Sequence, residues 1–323
     1  GDYFWKFAGL RALYGYMYTH PGKKLLFMGG ELAQFNEWHY ESQLDWSVLD
    51  YEMHQKLKEY VKTLNMLYRE SPELYELDGS WDGFQWINAD DADRSIYSFT
   101  RHSKDKKKNL LFVCNFTPMA RPDYRVGVPR GKQYKLIINR KDGEVITSKV
   151  KTICGSTIKK PMNNISFESP RTNQIEWRSS KFNQLASYYE VIGYFHYKQL
   201  DPGSEDTTYH KMRWFFGSGT GESMYNSSNS NMFVNYTPIT FYSKLSADAN
   251  IVNNTETYTR RFVDCFEIVV TATGDELYNY ILIQNSGSAI MDTPEYTNID
   301  NGVGILSSRS VCSHKVAVND HTI

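Results

Sequence analysis

The sequence predicts an α/β segment followed by two mainly-β parts, and three observations support this fold class. Two early stretches carry apolar residues at helical spacing, on either side of a short apolar run at residues 25–28. From about Trp81 the pattern changes to short strands, and near residue 140 the composition becomes rich in Ser, Thr and Asn. The order helix, apolar run, long loop, helix fits the end of an α/β barrel or of a doubly wound sheet.

The first part is predicted to contain two helices and one strand. The first helix ends at His20-Pro21-Gly22, and its apolar face recurs at helical spacing in Tyr3, Phe7, Leu10, Tyr14 and Met17. Residues 25–28 predict a short buried strand, bounded by Gly29-Gly30. The second helix stops at Ser71-Pro72 and has the apolar positions Met53, Leu57, Tyr60, Val61, Leu64, Leu67 and Tyr68.

The remaining chain is predicted to be mostly strands. Three short strands near residues 84–87, 95–99 and 110–116 predict a small antiparallel β-domain. Asp142-Gly143, between two apolar runs, predicts a hairpin. Further strands are predicted at residues 188–197, 232–236, 266–271 and 304–307, with one helix from Asp275 to about Gln284.

Composition argues against several classes of function. A formal net charge of −1 and a pI near 6.8 give no electrostatic case for nucleic acid. The four cysteines show no Cys-x-x-Cys spacing, and His196 and His210 lie far from any Asp or Cys cluster, so neither a metal site nor a disulfide scaffold is predicted. The run FGSGTG at residues 216–221 lacks the ending of a phosphate loop and is interpreted as a flexible loop, so no cofactor is predicted.

No apolar window is long enough to span a membrane, and no signal peptide or initiator Met is present. We therefore expect the chain to be the middle of a longer protein.

A series of short motifs carries a resemblance to a known family. In order they are GDYFWKFA at residues 1–8, LRALYGYM at 10–17, HPGKKLLFMGGE at 20–31, NEW at 36–38, LDW at 44–46, LYELD at 74–78, WINADD at 86–91 and YRVGVP at 124–129. With these motifs, residues 1–137 resemble the C-terminal part of bacterial 1,4-α-glucan branching enzymes, members of the α-amylase superfamily.

The resemblance implies a fold and three domains. Residues 1–73 would be the end of a (β/α)8 catalytic barrel, with residues 25–28 as its eighth strand and residues 52–70 as its closing helix. Residues 74–137 would be the all-β C-terminal domain, and residues 138–323 a separate β-rich module. Barrel active sites form at the C-terminal ends of the strands, so Gly29-Gly30 and Glu31 would stand at that rim.

The resemblance also implies what the chain can contribute. Branching enzymes resemble retaining glycosidases, which need a carboxylate nucleophile and an acid/base. In this family the catalytic acids precede the part that this chain matches, and neither Asp2 nor Glu31 matches one of them. No catalytic residue is therefore assigned, and the chain alone is expected to be inactive. His20 is interpreted as a helix-terminal residue rather than a catalytic one.

Five residues are candidate contacts for the α-glucan substrate, such as glycogen or amylose-like chains. Glu31 and Gln34 could bond glucose hydroxyls or hold neighbouring barrel loops. Trp38 and Trp46 could stack on sugar faces or plug the barrel end, and Asp45 is a candidate hydroxyl acceptor. The sequence leaves both interpretations open.

A second, weaker resemblance begins where the first one ends. The segments RKDGEVITSK at residues 140–149, WFFGSG at 214–219 and YTNIDNGVGILSSR at 296–309 resemble surface lipoproteins of Bacteroidota whose function is undefined. The first resemblance implies a cytoplasmic location and the second an envelope location. We therefore expect a junction of two unrelated sequences near residues 134–143, natural or artefactual.

Two functions remain open from the sequence. One is a fragment of a branching enzyme, joined to an unrelated β-rich module. The alternative is a non-enzymatic binding protein of the cell surface, whose function lies in residues 138–323. The sequence assigns no oligomeric state.

Overall fold

The computed structural model describes residues 2–121, 124–128, 133–139, 145–180, 185–200, 203–248, 260–286, 296–301 and 304–319. The chain divides into two compact units, Gly1–Val128 and Pro129–Ile323. Each unit has its own hydrophobic core. No helix among these residues combines the length and the apolar character that crossing a membrane requires.

Two long helices form the core of the first unit. Helix α1 spans Asp2–Thr19 and α2 spans Glu52–Glu70, so the predicted helices are confirmed. The two helices pack against each other and bury six side chains between them: Phe7, Tyr14, Tyr18, Leu57, Val61 and Leu64. Two hydroxyls fix the pair: Tyr18 donates to Asn65 Oδ1 at 2.8 Å and Tyr60 donates to the Arg11 carbonyl at 3.0 Å.

The described residues do not show the predicted buried strand at residues 25–28. No described strand pairs with these residues, and Leu25, Phe27 and Met28 are 79%, 64% and 55% exposed. A barrel strand is held by hydrogen bonds to parallel neighbours and is buried on both faces. The described residues supply neither neighbour, so the apolar run stays an unpaired extended segment.

A three-stranded antiparallel sheet completes the first unit, as predicted. Its strands are β1 (Phe84–Asp91), β2 (Ile96–His102) and β3 (Asn109–Asn115), with β2 in the centre. Phe99 of β2 lies opposite Trp86 and Phe112 and is fully buried. The alternating pattern of the sequence therefore gives the correct strands within a few residues of their ends.

The second unit is mainly β. It begins with the predicted hairpin, β4 (Gln133–Asn139) paired with β5 (Val145–Lys151), while the Asp142-Gly143 turn lies outside the described residues. The later strands are β6 (Ser156–Lys160), β7 (Asn164–Ile165), β8 (Asn173–Ser179), β9 (Tyr188–Leu200), β10 (Thr207–Thr220), β11 (Tyr225–Asn226), β12 (Asn231–Tyr236), β13 (Arg260–Thr273) and β14 (Arg309–Val318). Two helices, α3 (Thr240–Ser246) and α4 (Asp275–Ser286), lie among them.

Two sheets enclose the core of this unit. One has the order β10-β9-β13-β14-β7 and the other the order β11-β12-β8-β6. Alternate residues of both sheets point into a shared core that contains Trp177, Tyr189, Phe195, Trp214, Met232 and Phe266. The side-chain period of two places these residues on the inner faces.

Two sequence interpretations of this unit are wrong. Residues 216–220 are not a flexible loop but the end of β10, which pairs with β9 through Gly217 and Val191. Residues 304–307 are not a strand. The Asn298 side chain donates to the Leu306 carbonyl at 2.7 Å and accepts from the Leu306 N–H at 2.8 Å. These side-chain hydrogen bonds take the place of the backbone bonds that a neighbouring strand would make.

Candidate functional site

The segment that follows residues 25–28 is a tight turn. Gly30–Leu32 forms a single 3-10 turn, and Gly29 before it has a φ of +81°, which glycine adopts without steric cost. A Cβ at Gly29 would lie 2.6 Å from the Gln34 side chain, so glycine also lets Gln34 fold back over the turn. Tyr14 donates to the Gly30 carbonyl at 3.0 Å, and the buried His54 ring bonds the Leu32 carbonyl through Nδ1 at 2.6 Å. The turn is thus fixed by both helices.

Gln34 and Asp45 are brought together across eleven residues of chain. The Gln34 Oε1 atom accepts from the Asp45 backbone N–H at 3.4 Å, and Gln34 Nε2 donates to the Asn36 carbonyl at 3.3 Å. The Asp45 carboxylate accepts from Ser47 Oγ at 2.5 Å and from Asn36 Nδ2 at 3.5 Å. The structure therefore joins two of the five predicted residues in one half-buried polar cluster, which can exchange hydrogen bonds with hydroxyl groups.

The two predicted tryptophans are both open to solvent. Trp38 is 37% exposed and meets Phe27 edge-on, with ring centroids 5.4 Å apart. Trp46 is 52% exposed and begins the 3-10 turn Trp46–Asp50, directly after Asp45. Exposed aromatic rings beside polar side chains provide the apolar faces on which sugar rings pack.

Glu31 lies in a different place from Gln34 and Asp45. It lines a cleft of about 530 Å³ against α2, together with Leu26 and the cationic side chains of Lys58, Lys62 and Arg69. Burial raises the pKa of the Tyr14 phenol, and the Glu31 charge raises it further. Glu31 thus faces a basic helix surface, apart from the polar cluster of Gln34 and Asp45.

His20 has a structural environment. Its ring packs against Phe84 and Phe99, and burial lowers its pKa. Its carbonyl, at the end of α1, accepts from Lys24 Nζ at 2.8 Å. These contacts agree with the interpretation of His20 as a helix-terminal residue.

Sequence reasoning missed the residue that ties this unit together, Arg101. Its guanidinium is fully buried and donates to the carbonyls of Thr19, Leu74 and Gly83 at 2.8–3.2 Å. It also donates to the Asp78 carboxylate at 2.5 Å. The available signal was an arginine two residues after the predicted strand 95–99, because a charge that a strand buries needs partners.

Nothing in the described part of the chain groups His, Cys, Asp or Glu side chains as a metal site. The four cysteines are all free thiols.

Comparison with known proteins gives this arrangement a context. Residues 86–173 match the family described as "Alpha amylase, C-terminal all-beta domain". The chain is 55% identical over 139 residues to the 1,4-alpha-glucan branching enzyme GlgB of Halothermothrix orenii and 53% identical over 139 residues to that of Aquifex aeolicus. Over this part the chain is similar to the C-terminal part of a branching enzyme.

The extent of the match is limited. The aligned residues are 43% of this chain and 22% of either relative, so the chain spans about a fifth of their length. A relative from Bacillus mycoides aligns over 159 residues, 47% of this chain, at 48% identity. The family match runs on to Asn173, beyond the predicted junction at residues 134–143.

Proposed function

We propose that residues 1–137 work as the C-terminal part of a 1,4-α-glucan branching enzyme and contribute glucan contacts rather than catalytic groups. The observation that carries the proposal is the 55% identity over 139 residues with a branching enzyme. In such an enzyme an α-1,4 linkage is cleaved and the released segment is transferred to a 6-hydroxyl. The carboxylates for that chemistry would come from a part of the enzyme that these residues do not match.

The exposed apolar segment at residues 25–28 supports a place in a barrel. Contiguous apolar side chains exposed to water mark a surface that another element covers. Neighbouring parallel strands would bury Leu25, Phe27 and Met28 and would bring the Gly29-Gly30 turn to the rim of the barrel. Gln34 and Asp45, held next to that turn, would then face the substrate.

We propose different roles for the predicted residues, and their positions in the structure support this division. Trp38 and Trp46 offer exposed ring faces for glucose units, and the cluster of Gln34 and Asp45 offers acceptors and donors for hydroxyls. Glu31, beside the lysines of α2, is better placed to hold a neighbouring barrel segment than to touch glucan. We therefore assign glucan contact to Gln34, Trp38, Asp45 and Trp46.

Glucan binding by the full chain tests this assignment. In affinity electrophoresis through gels that contain amylose or glycogen, the wild-type chain is expected to be retarded, and the double variant Trp38→Ala, Trp46→Ala is expected to be retarded much less. Trp81→Ala is the matched control, because Trp81 is 89% exposed in the same unit and lies outside the cluster. The assignment would be contradicted if Trp81→Ala reduced the retardation as much as the double variant does, or if the double variant were retarded as strongly as the wild-type chain.

Activity provides the second test. The purified chain is expected to form no α-1,6 linkages from amylose, as measured by debranching and chain-length analysis. New α-1,6 linkages would overturn the proposal that the catalytic groups lie elsewhere.

A further inference from the structure

A second cleft opens within the unit Pro129–Ile323 and has a volume of about 610 Å³. It lies where β8 begins and β12 ends, because these strands pair antiparallel with Asn235 opposite Gln174. Lys160, at the end of β6, and Ile165, in β7, complete its wall. Small-molecule sites have volumes of about 300–1,000 Å³, so this cleft has the size of a ligand site.

The side chains around this cleft are mostly neutral hydrogen-bonding groups. Hydroxyl and amide groups come from Asn164, Thr172, Asn173, Gln174 and Asn235. Each amide both donates and accepts, and each hydroxyl does the same. Such a lining complements a ligand whose own groups donate and accept, rather than a ligand with a net charge.

The charges in the cleft compensate each other. The Glu176 carboxylate, almost fully buried, accepts from Lys160 Nζ at 2.7 Å and from Asn231 Nδ2 at 2.8 Å. The bond from Lys160 holds the pKa of Glu176 below its ordinary value, so the pair stays ionised. Both carboxylate oxygens are therefore engaged within the protein, and the cleft offers a ligand little net charge.

Two amides at the mouth of the cleft are oriented by each other. Gln174 Nε2 donates to Asn235 Oδ1 at 3.1 Å, and both side chains are exposed. This bond uses one donor of Gln174 and one acceptor of Asn235, so the Gln174 oxygen and the Asn235 amino group remain for a ligand. If both amides were flipped, an amino group and an oxygen would still remain. An acceptor next to a donor matches two adjacent hydroxyls, each of which can donate and accept.

The floor of the cleft adds apolar contact. Ile165 and Tyr236 are buried and line it from below, and Pro161 stands at its edge. Sugar rings have apolar C–H faces as well as hydroxyl rims, so a mixed lining of this kind satisfies both.

We infer that this cleft binds a neutral carbohydrate, whose adjacent hydroxyls bond the amides of Gln174 and Asn235 and whose ring packs over Pro161 and Ile165. This site belongs to the second unit and goes beyond the glucan contacts proposed for the first. It gives the module that follows residue 138 a binding function of its own.

Isothermal titration of the full chain with defined oligosaccharides tests the inference. The neutral probes are maltohexaose, cellohexaose and mannohexaose, and the charged probes are tetragalacturonate and a heparin tetrasaccharide. At least one neutral probe is expected to bind, and the double variant Gln174→Ala, Asn235→Ala to weaken it about tenfold, as the loss of one or two hydrogen bonds predicts. The matched control is Gln284→Ala, an exposed amide of α4 that does not line the cleft.

The outcomes separate this site from the first one. Loss of binding in the Trp38→Ala, Trp46→Ala variant but not in the cleft variant would support the first-unit site and overturn this inference. Stronger binding of the charged probes, no binding of any neutral probe, or equal weakening by Gln284→Ala would overturn it as well.

A measurement on the wild-type chain avoids dependence on variants. Hydrogen–deuterium exchange with the bound neutral probe is expected to protect residues 160–176 and 231–236. Protection confined to other segments would contradict the assignment of the cleft.

Discussion

Replacing Arg101 is expected to destabilise the first unit more than any exposed substitution. The substitution Arg101→Met keeps the length of the side chain but removes bonds to three carbonyls and to Asp78. Four independent bonds to a charged group, at about 1.5 kcal/mol each, would total about 6 kcal/mol. The four bonds share one guanidinium, and burying that charge costs free energy, so their contributions do not add in full. The expected decrease in the free energy of unfolding is therefore that of breaking a buried ion pair, about 3–5 kcal/mol.

The assay must report on one unit at a time. Urea-dependent hydrogen exchange, read by mass spectrometry on peptides from α1 and β2, gives the free energy of unfolding of the first unit. Lys62→Met is the matched control, because the side chains of Lys62 and its partner Glu59 are 65% and 66% exposed, so their pair is a surface contact. Exposed pairs contribute about 0–1 kcal/mol. If Arg101→Met costs no more than Lys62→Met, the reasoning is refuted.

Asp78 provides an independent check of the same pair. Asp78→Asn alone is expected to destabilise, because Arg101 would remain buried without its counter-ion. In a double-mutant cycle the two substitutions together should cost less than the sum of the single costs. Additive costs would show that the two side chains act independently.

Three further outcomes follow from single positions. Gly29→Ala should weaken glucan binding, because the added Cβ would clash with the Gln34 side chain. Gly203 has a similar φ of +82° but open space around it, so Gly203→Ala should leave glucan binding unchanged. Equal effects of the two substitutions would refute the crowding argument. Burial lowers the pKa of Lys24 from 10.5 to about 8. Between these two pH values the unfolded chain binds more protons than the folded chain, so the free energy of unfolding should rise with pH. A Lys24→Met variant whose free energy of unfolding has the same pH slope would contradict this. Burial raises the pKa of Cys114 from 9.0 to about 11, so its thiolate fraction at pH 8 falls about a hundredfold. Iodoacetamide should therefore alkylate Cys114 far more slowly in the native chain than in urea. Equal alkylation rates, measured by mass spectrometry, would contradict this prediction.

Local patterns predict the helices and the first sheet well. The apolar spacing that ends at Ser71-Pro72 gives α2, and alternation around Phe99 gives the central strand β2. These elements follow from residues that are close in sequence, which a pattern can detect.

Features that depend on distant partners could not be predicted. The apolar run at residues 25–28 has the composition of a buried strand, but strand pairing needs neighbours that the described residues do not supply. The bonds of Arg101 reach Thr19, 82 residues away, and no spacing rule points there. The contact between Gln34 and Asp45 depends in the same way on the shape of a turn, and the separation of Glu31 from both could not be inferred from its place in the motif.

One chimera tests the central proposal most directly. The 139 residues that align in the Halothermothrix orenii branching enzyme would be replaced by the matching residues of this chain. The account predicts that the chimera folds and forms α-1,6 linkages from amylose, and that Trp38→Ala with Trp46→Ala in the graft reduces this activity while Trp81→Ala does not. A folded chimera without branching activity would contradict the account.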